Sequence, residues 1–217
     1  MWLVWLLTFL PSVLIVFFVV ASDRFREPMS MVFGTLFLGF LLCLPAGILN
    51  EFLIFSSESY DELTFLAGFT EETLKFLAFL LFINNRVEFN EPMDALIYGT
   101  LISIGFATYE NYEYVFLYNE PFSSLEVAQL RSVTALPLHA ICGTIMGYNI
   151  GLFKIQKGTK YLVLSLLLPV FLHAVYNYLD NLLTTFGLIF VGILTCIYLH
   201  QTLRYNQGNK SEEREFN

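Results

Sequence analysis

Leu63–Ile83 reads LTFLAGFTEETLKFLAFLLFI, 21 residues that are apolar at both ends and carry Glu71, Glu72 and Lys75 in the middle. A run of about 20 mostly apolar residues is what a helix needs to cross the ~30 Å hydrocarbon core of a bilayer. Ionisable groups inside such a run are expensive and mark a path or a site rather than a lipid-facing surface. This stretch therefore reads as a membrane helix with chemistry on it.

The rest of the chain has the same character. Of its 217 residues 56% are apolar, 17% aromatic and only 14% charged, and the mean hydropathy is +0.63. A soluble domain carries roughly a quarter charged residues, so this chain lacks the surface to stay in water. Six further runs are long and apolar enough to span: Trp2–Ala21, Pro28–Asn50, Ala95–Leu117, Val133–Phe153, Tyr161–Leu179 and Leu182–Leu203. The expected fold class is all-α, a polytopic transmembrane helix bundle of about seven spans. Residues 1–205 form one domain with its core motifs in 28–180, and 206–217 form a polar, disordered cytoplasmic tail. The first run ends in Val19-Val20-Ala21 like a signal peptide, but it has no positive n-region and its apolar run is too long, so a retained helix is expected. The net charge of −8 excludes nucleic acid as a partner, since phosphate binding needs clustered Lys and Arg. Cys43, Cys142 and Cys196 are odd in number and have no metal-like spacing, so they read as small buried hydrophobes.

Orientation follows from where Lys and Arg fall. With the N-terminus outside, the cytoplasmic segments hold Arg24, Arg26, Arg86, Lys154, Lys157, Lys160, Arg204, Lys210 and Arg214, whereas the outer loops hold only Arg131. The expected topology is N-out/C-in, a multi-pass protein of the cell membrane. In that frame the polar residues inside the spans share a depth. Glu71 and Glu72 lie roughly 12–14 Å below the outer end of their helix, Glu110 about 10 Å, and His139 and His173 about 9 Å. Glu51 and Asp180 fall at outer helix ends, and His200 near the inner end of the last span. Four helices of alternating direction thus place carboxylates and imidazoles in one layer, expected to face a single wet cavity.

Two adjacent carboxylates, two histidines, a further Glu and an Asn make a water-activating set. A buried carboxylate can act as a general base, and imidazole can stabilise an oxyanion or hold a metal. The sequence has no Ser–His–Asp arrangement, no His-Glu-x-x-His zinc helix and no intramembrane Asp pair.

The motifs Glu71-Glu72-x-x-Lys75, Phe106-x-x-x-Glu110-Asn111, His139-Ala-x-x-Gly143 and His173-Ala-x-Tyr-Asn177 resemble, in order, those of the PrsW family. These are bacterial intramembrane proteases, distantly similar to the CAAX prenyl endopeptidases. The last motif ends in Asn177, where some members carry Asp. The resemblance implies a peptidase with Glu71, Glu72, His139 and His173 catalytic and Lys75, Phe106, Glu110, Asn111 and Asn177 in support. It implies a first cut in a single-span anti-sigma factor, or a similar membrane protein, near the extracytoplasmic face. In the mechanism expected first, Glu72 deprotonates a water, Glu71 pairs with Lys75, and His139 and His173 hold the oxyanion with Asn177 and Asn111 orienting them. The two glutamates could exchange roles. No cofactor is assigned; a zinc version would use His139, His173 and Glu110 as a His₂Glu shell. Two other classes fit the same residues: an ion- or proton-coupled transporter, and a non-catalytic scaffold for single-span partners. The absence of a two-fold repeat and of paired broken helices speaks against the transporter.

Overall fold

A computed structural model describes residues 1–179 and 181–215, with side chains through Gln207; Asp180 lies outside the described residues. All regular structure among them is helical: α1 (Trp2–Ser22), α2 (Met29–Asn50), α3 (Tyr60–Leu63), α4 (Leu66–Ala78), α5 (Pro92–Phe116), α6 (Ser124–Val133), α7 (Ala135–Gln156), α8 (Thr159–Tyr178) and α9 (Leu182–Glu215). Five stretches are long and apolar enough to cross a membrane: Trp2–Ser22, Met29–Phe55, Ser124–Gln156, Thr159–Tyr178 and Leu182–Gln207. The two expected spans that miss this standard are the ones carrying most of the charge. Helix α4 holds Glu71, Glu72 and Lys75, and α5 holds Asp94, Glu110 and Glu113.

Those two helices belong to the interior. Every residue of α5 from Met93 to Ala107 is buried, because α5 is wrapped by α2, α7 and α1. Its start is fixed by Pro92 at the first turn and by Asp94, whose Oδ2 accepts the backbone N–H groups of Asn90 and Glu91 at 2.8 Å each. Small residues let α5 and α7 approach closely. A Cβ on Gly99 would collide with the backbone of Gly143 and Gly147, and one on Gly147 with the backbone of Ala95 and Leu96. Without a hydrophobic drive between helices in lipid, such close backbone contact is a main source of association. It also fixes the spacing between Glu110 on α5 and His139 on α7.

Four expected boundaries move. The Leu63–Ile83 run is not one helix: α3 ends at Leu63, α4 starts at Leu66, and a π-helical turn follows over Phe79–Ile83. A second π turn, Glu51–Phe55, extends α2. The fifth run breaks at Thr134 (φ −124°, ψ −72°), separating α6 from α7. Finally, α9 stays helical to Glu215, correcting the expectation of a disordered tail from Asn206. Gln207 anchors this extension, donating from Nε2 to Asp23 (3.1 Å) and Glu91 (2.6 Å). Cys43 and Cys142 are buried thiols and Cys196 is half-buried. His200 hydrogen-bonds the Ser22 hydroxyl at 2.8 Å and takes no part in the polar layer.

Candidate active site

Adjacent residues on a helix point about 100° apart, so Glu71 and Glu72 cannot face the same neighbours. Glu72 turns inward and is fully buried. Its Oε1 accepts from Lys75 Nζ at 2.7 Å and from His173 Nδ1 at 3.0 Å. Glu71 turns toward α2. Its Oε1 accepts from Asn50 Nδ2 at 3.1 Å, and Asn50 Oδ1 in turn accepts the Thr70 hydroxyl at 2.5 Å. The other oxygen, Glu71 Oε2, is buried yet accepts no hydrogen bond among the described residues. It lies 3.9 Å from His173 Nε2 and 4.0 Å from Lys75 Nζ.

The second histidine is built the same way from different helices. His139 Nε2 is 2.9 Å from Glu110 Oε2, and Nδ1 is 2.9 Å from Lys75 Nζ. An ammonium has no acceptor and an ionised carboxylate no donor, so His139 carries its proton on Nε2 and offers Nδ1 as a lone pair. By the same reasoning His173 carries a proton on Nδ1, for Glu72, while its Nε2 faces Glu71 Oε2 at 3.9 Å. The centre therefore contains two carboxylate–histidine pairs joined through different ring nitrogens, their rings edge to face with centroids 4.9 Å apart. Lys75 ties them together, bonding Glu72 and His139 while its ammonium sits 4.1 Å over the Phe106 ring. Phe106 packs 5.6 Å from His139, centroid to centroid.

The structure brings together Glu71, Glu72, Lys75, Phe106, Glu110, His139 and His173 from α4, α5, α7 and α8. Several expected pairings fall differently. The close partner of Lys75 is Glu72; both glutamates keep one buried oxygen without a hydrogen bond, and Glu71 is the one of the two that lines the cavity. Neither asparagine orients a histidine. Asn177 Nδ2 donates to the Thr64 carbonyl at 3.2 Å, pinning α8 to the start of α4, and Asn111 Oδ1 accepts from Arg131 Nε at 2.7 Å. Arg131 also meets Glu110 Oε2 through Nη2 at 2.5 Å, so Glu110 is already claimed twice. Two residues were missed. Arg131 looked like a loop cation and Asn50 like the end of a span; a polar side chain closing an otherwise apolar run was the available signal for Asn50.

A cavity of about 990 Å³ opens onto this centre. Glu71, Glu110, Arg131, His139 and His173 line its polar side, while α2 and its π turn supply Leu44, Ile48, Phe52 and Phe55 on the apolar side. Glu72 and Lys75 lie behind the wall. Ile48 and Phe52 also face outward, the surface lipid would cover.

Glu71, His139 and His173 each offer a ligand atom, all within 4.8 Å of one another. The set fits a divalent transition metal on two counts. Two imidazoles and a carboxylate are the His₂Glu donor set of zinc hydrolases, and Glu71 Oε2 is a buried acceptor without a hydrogen bond. Glu72 on His173 and Glu110 on His139 match the carboxylates that orient metal-bound imidazoles. The expected shell had Glu110 as a direct ligand; in the structure Glu110 bonds His139 and Arg131, and the carboxylate grouped with the two imidazoles is Glu71.

A family model described as PrsW family intramembrane metalloprotease matches residues 27–201. That description carries metal chemistry with it, where the sequence placed the metal-free form first. The chain is 30% identical over 207 residues to Protease PrsW of Oceanobacillus iheyensis, covering 93% of this chain and 94% of that protein. It is 30% identical over 223 residues to Protease PrsW of Clostridioides difficile, covering 94% and 92%. Against Protease PrsW of Halalkalibacterium halodurans it is 34% identical over 169 residues, 76% of each. No solved structure matches.

Proposed function

The chain belongs to the PrsW family of intramembrane proteases, and from that premise we propose that it is an endopeptidase making the first cut in a single-span anti-sigma factor or a similar membrane protein, near the outer face of the bacterial membrane. Glu71 carries the reading: it is the buried carboxylate that lines the cavity with one oxygen unclaimed. Glu71 Oε2 takes the proton of the attacking water, and Asn50 holds the other oxygen so that this one stays aimed at the cavity. Glu72 and Lys75 pair behind the wall, and Glu72 holds His173 by Nδ1 so that its Nε2 is turned toward Glu71. His173 and the pair Glu110–His139 surround the position where the tetrahedral oxygen would develop. A divalent cation on Glu71, His139 and His173 would supply Lewis-acid activation of the water and the scissile carbonyl, and Glu71 would then serve as its ligand in place of acting as the base.

Seven spans with N-out/C-in topology, and a cytoplasmic stretch after residue 205, complete the proposal. Its support is the Lys and Arg distribution together with α4 and α5, which run through the interior as the two polar helices. In that frame the centre sits in the outer half of the bilayer, and a substrate helix exposes its scissile carbonyl where its backbone frays near the outer surface.

The test is co-expression with each single-span anti-sigma factor of the host, comparing wild type with Glu71→Gln and mapping products by mass spectrometry. The expected result is a cut at the outer end of the substrate helix that Glu71→Gln abolishes. Cleavage at the cytoplasmic end, or a cut that persists in Glu71→Gln, overturns the proposal. A reporter after Arg204 should read cytoplasmic and one within 56–62 external.

A further inference from the structure

Arg131 is the one cation that the charge distribution places on the outer side, and it is not where a loop residue would be. It lies on α6, a short helix whose start is closed by Ser123. The Ser123 hydroxyl accepts the Glu126 amide at 3.3 Å, while Glu126 Oε2 accepts the Ser123 amide at 2.9 Å. Its end is the break at Thr134, whose hydroxyl accepts from Tyr176 of α8 at 3.1 Å. Held at both ends, α6 sends Arg131 down beside α5. There the guanidinium engages three side chains at once: Nη2 on Glu110 (2.5 Å), Nε on Asn111 (2.7 Å), and the carbon over the Tyr114 ring (4.2 Å). The Arg131 side chain is 15% exposed and that of Glu110 13%.

We infer that Arg131 is a positioning residue of the centre: by gripping Glu110 and Asn111 together it fixes His139 with its proton on Nε2. The inference rests on reading this centre as the peptidase site. Three features carry it. Glu110 Oε2 is the acceptor for both Arg131 and His139 Nε2, so the guanidinium sets where that oxygen stands. The fork of an arginine spans two acceptors in fixed geometry, which a lysine ammonium does not do. And Lys75 needs a lone pair at His139 Nδ1, which exists only while Glu110 holds the proton side of the ring. Without Arg131, Glu110 is free to rotate away into the cavity and the imidazole loses the partner that selects its tautomer.

The chain has three histidines, which makes the ring states readable. Full-length protein labelled with ¹⁵N-histidine, stripped of divalent cations by chelation, is reconstituted in liposomes and examined by solid-state NMR, with His139→Gln assigning the signal. Wild type should show His139 on Nε2–H alone. Arg131→Gln should show a mixture of tautomers, with kcat lowered by about 10–100-fold, the range for removing a partner that orients a histidine, and with KM unmoved. Arg131→Lys should recover only part of the Nε2–H form and of kcat, since the charge on Glu110 returns without the grip on Asn111. Arg131→Gln combined with Glu110→Gln should be no slower than Glu110→Gln alone. Retention of the Nε2–H form in Arg131→Gln overturns the inference, as does an Arg131→Lys variant indistinguishable from wild type. The NMR arm needs no substrate, so failure of the protease reading and failure of this one are separable.

Discussion

The bundle contains two buried polar clusters, and they are built from opposite materials. The cavity centre mixes charge: Glu71, Glu72 and Glu110 are set among Lys75, Arg131 and two imidazoles, with contacts of 2.5–4.0 Å running through the whole group. The second cluster lies at the start of α5, roughly 24–29 Å along that helix from Glu110. It gathers Asp23, Glu27, Glu91, Asp94, Tyr98 and Gln207, with no imidazole among them. Its bonds are those of closure. Asp94 caps α5, Tyr98 donates to Glu27, and Gln207 bridges Asp23 and Glu91 to fasten α9. A buried carboxylate surrounded by acceptor groups and one phenol can hold helices together. Only the mixed set offers a proton acceptor beside imidazole nitrogens, so reactivity belongs to the cavity and stability to the other end.

The widest separation between the clusters should come from one substitution in each. Glu71→Gln should lower cleavage by about 10²–10⁴-fold, the worth of a positioned general base, while leaving the melting temperature near wild type. Asp94→Ala should do the reverse, costing about 1 kcal/mol or more through the lost cap with cleavage within a few-fold of wild type. Parallel turnover and thermal-melt measurements decide it; equal effects on both quantities would erase the division. A sharper form uses the metal fit. Purified wild type should contain zinc by elemental analysis and lose activity on strong chelation, and His139→Gln and His173→Gln should each lose the zinc. Stoichiometric zinc retained in both histidine variants would move the ligand set elsewhere.

The difference between the clusters also explains what was legible beforehand. The cavity residues announced themselves because charge inside an apolar run is costly, and i, i+4 spacing already put Glu71 with Lys75 and His173 with Asn177 on shared faces. What a linear pattern does not contain is the direction of each side chain relative to other helices. Glu71 and Glu72 are neighbours in sequence, and only the placement of α2 and α8 decides that Glu71 meets Asn50 while Glu72 meets His173. Arg131 reaches Glu110 because the chain breaks at Thr134; Pro137, in the first turn of α7, has no N–H for the carbonyl of Val133 and was the available signal for that break. Hydropathy also misjudged continuity: α4 is shorter than its apolar run because Asn177 takes the Thr64 carbonyl. The second cluster was invisible for a simpler reason, since its members sit in links and helix ends where acidic residues are commonplace.

A smaller effect within the centre tests whether Glu71 is aimed rather than merely present. Asn50→Ala removes the hydrogen bond to Glu71 Oε1 and frees Thr70. Losing a neutral hydrogen bond of ~1 kcal/mol should reduce kcat by about five- to tenfold, with Asn50→Asp worse because it sets a second carboxylate against Glu71. Unchanged kcat in Asn50→Ala would mean that the carboxylate is held by the packing of α4 alone.

The smallest expected effect lies in the second cluster and has a definite sign. Glu27 sits in the link between α1 and α2, outside the spanning helices. Burial pushes its carboxyl above the ordinary carboxylate range; Asp23 and Glu91 add to that, and the hydrogen bonds from Tyr98 and with Asp94 oppose it without cancelling it. A carboxyl whose native pKa is raised favours the fold while it is protonated. That contribution is fully present below the unfolded value of about 4.3 and is lost as pH rises through the native one. Wild type should therefore lose a few degrees of melting temperature as pH rises above about 4 that Glu27→Gln does not lose, because a neutral amide keeps the uncharged state throughout. Cleavage by Glu27→Gln should follow the wild-type pH profile, since no bond connects Glu27 to the cavity. Identical pH slopes in the two melts would show Glu27 ionised in the fold, and a changed cleavage profile would join the two clusters that the geometry keeps apart.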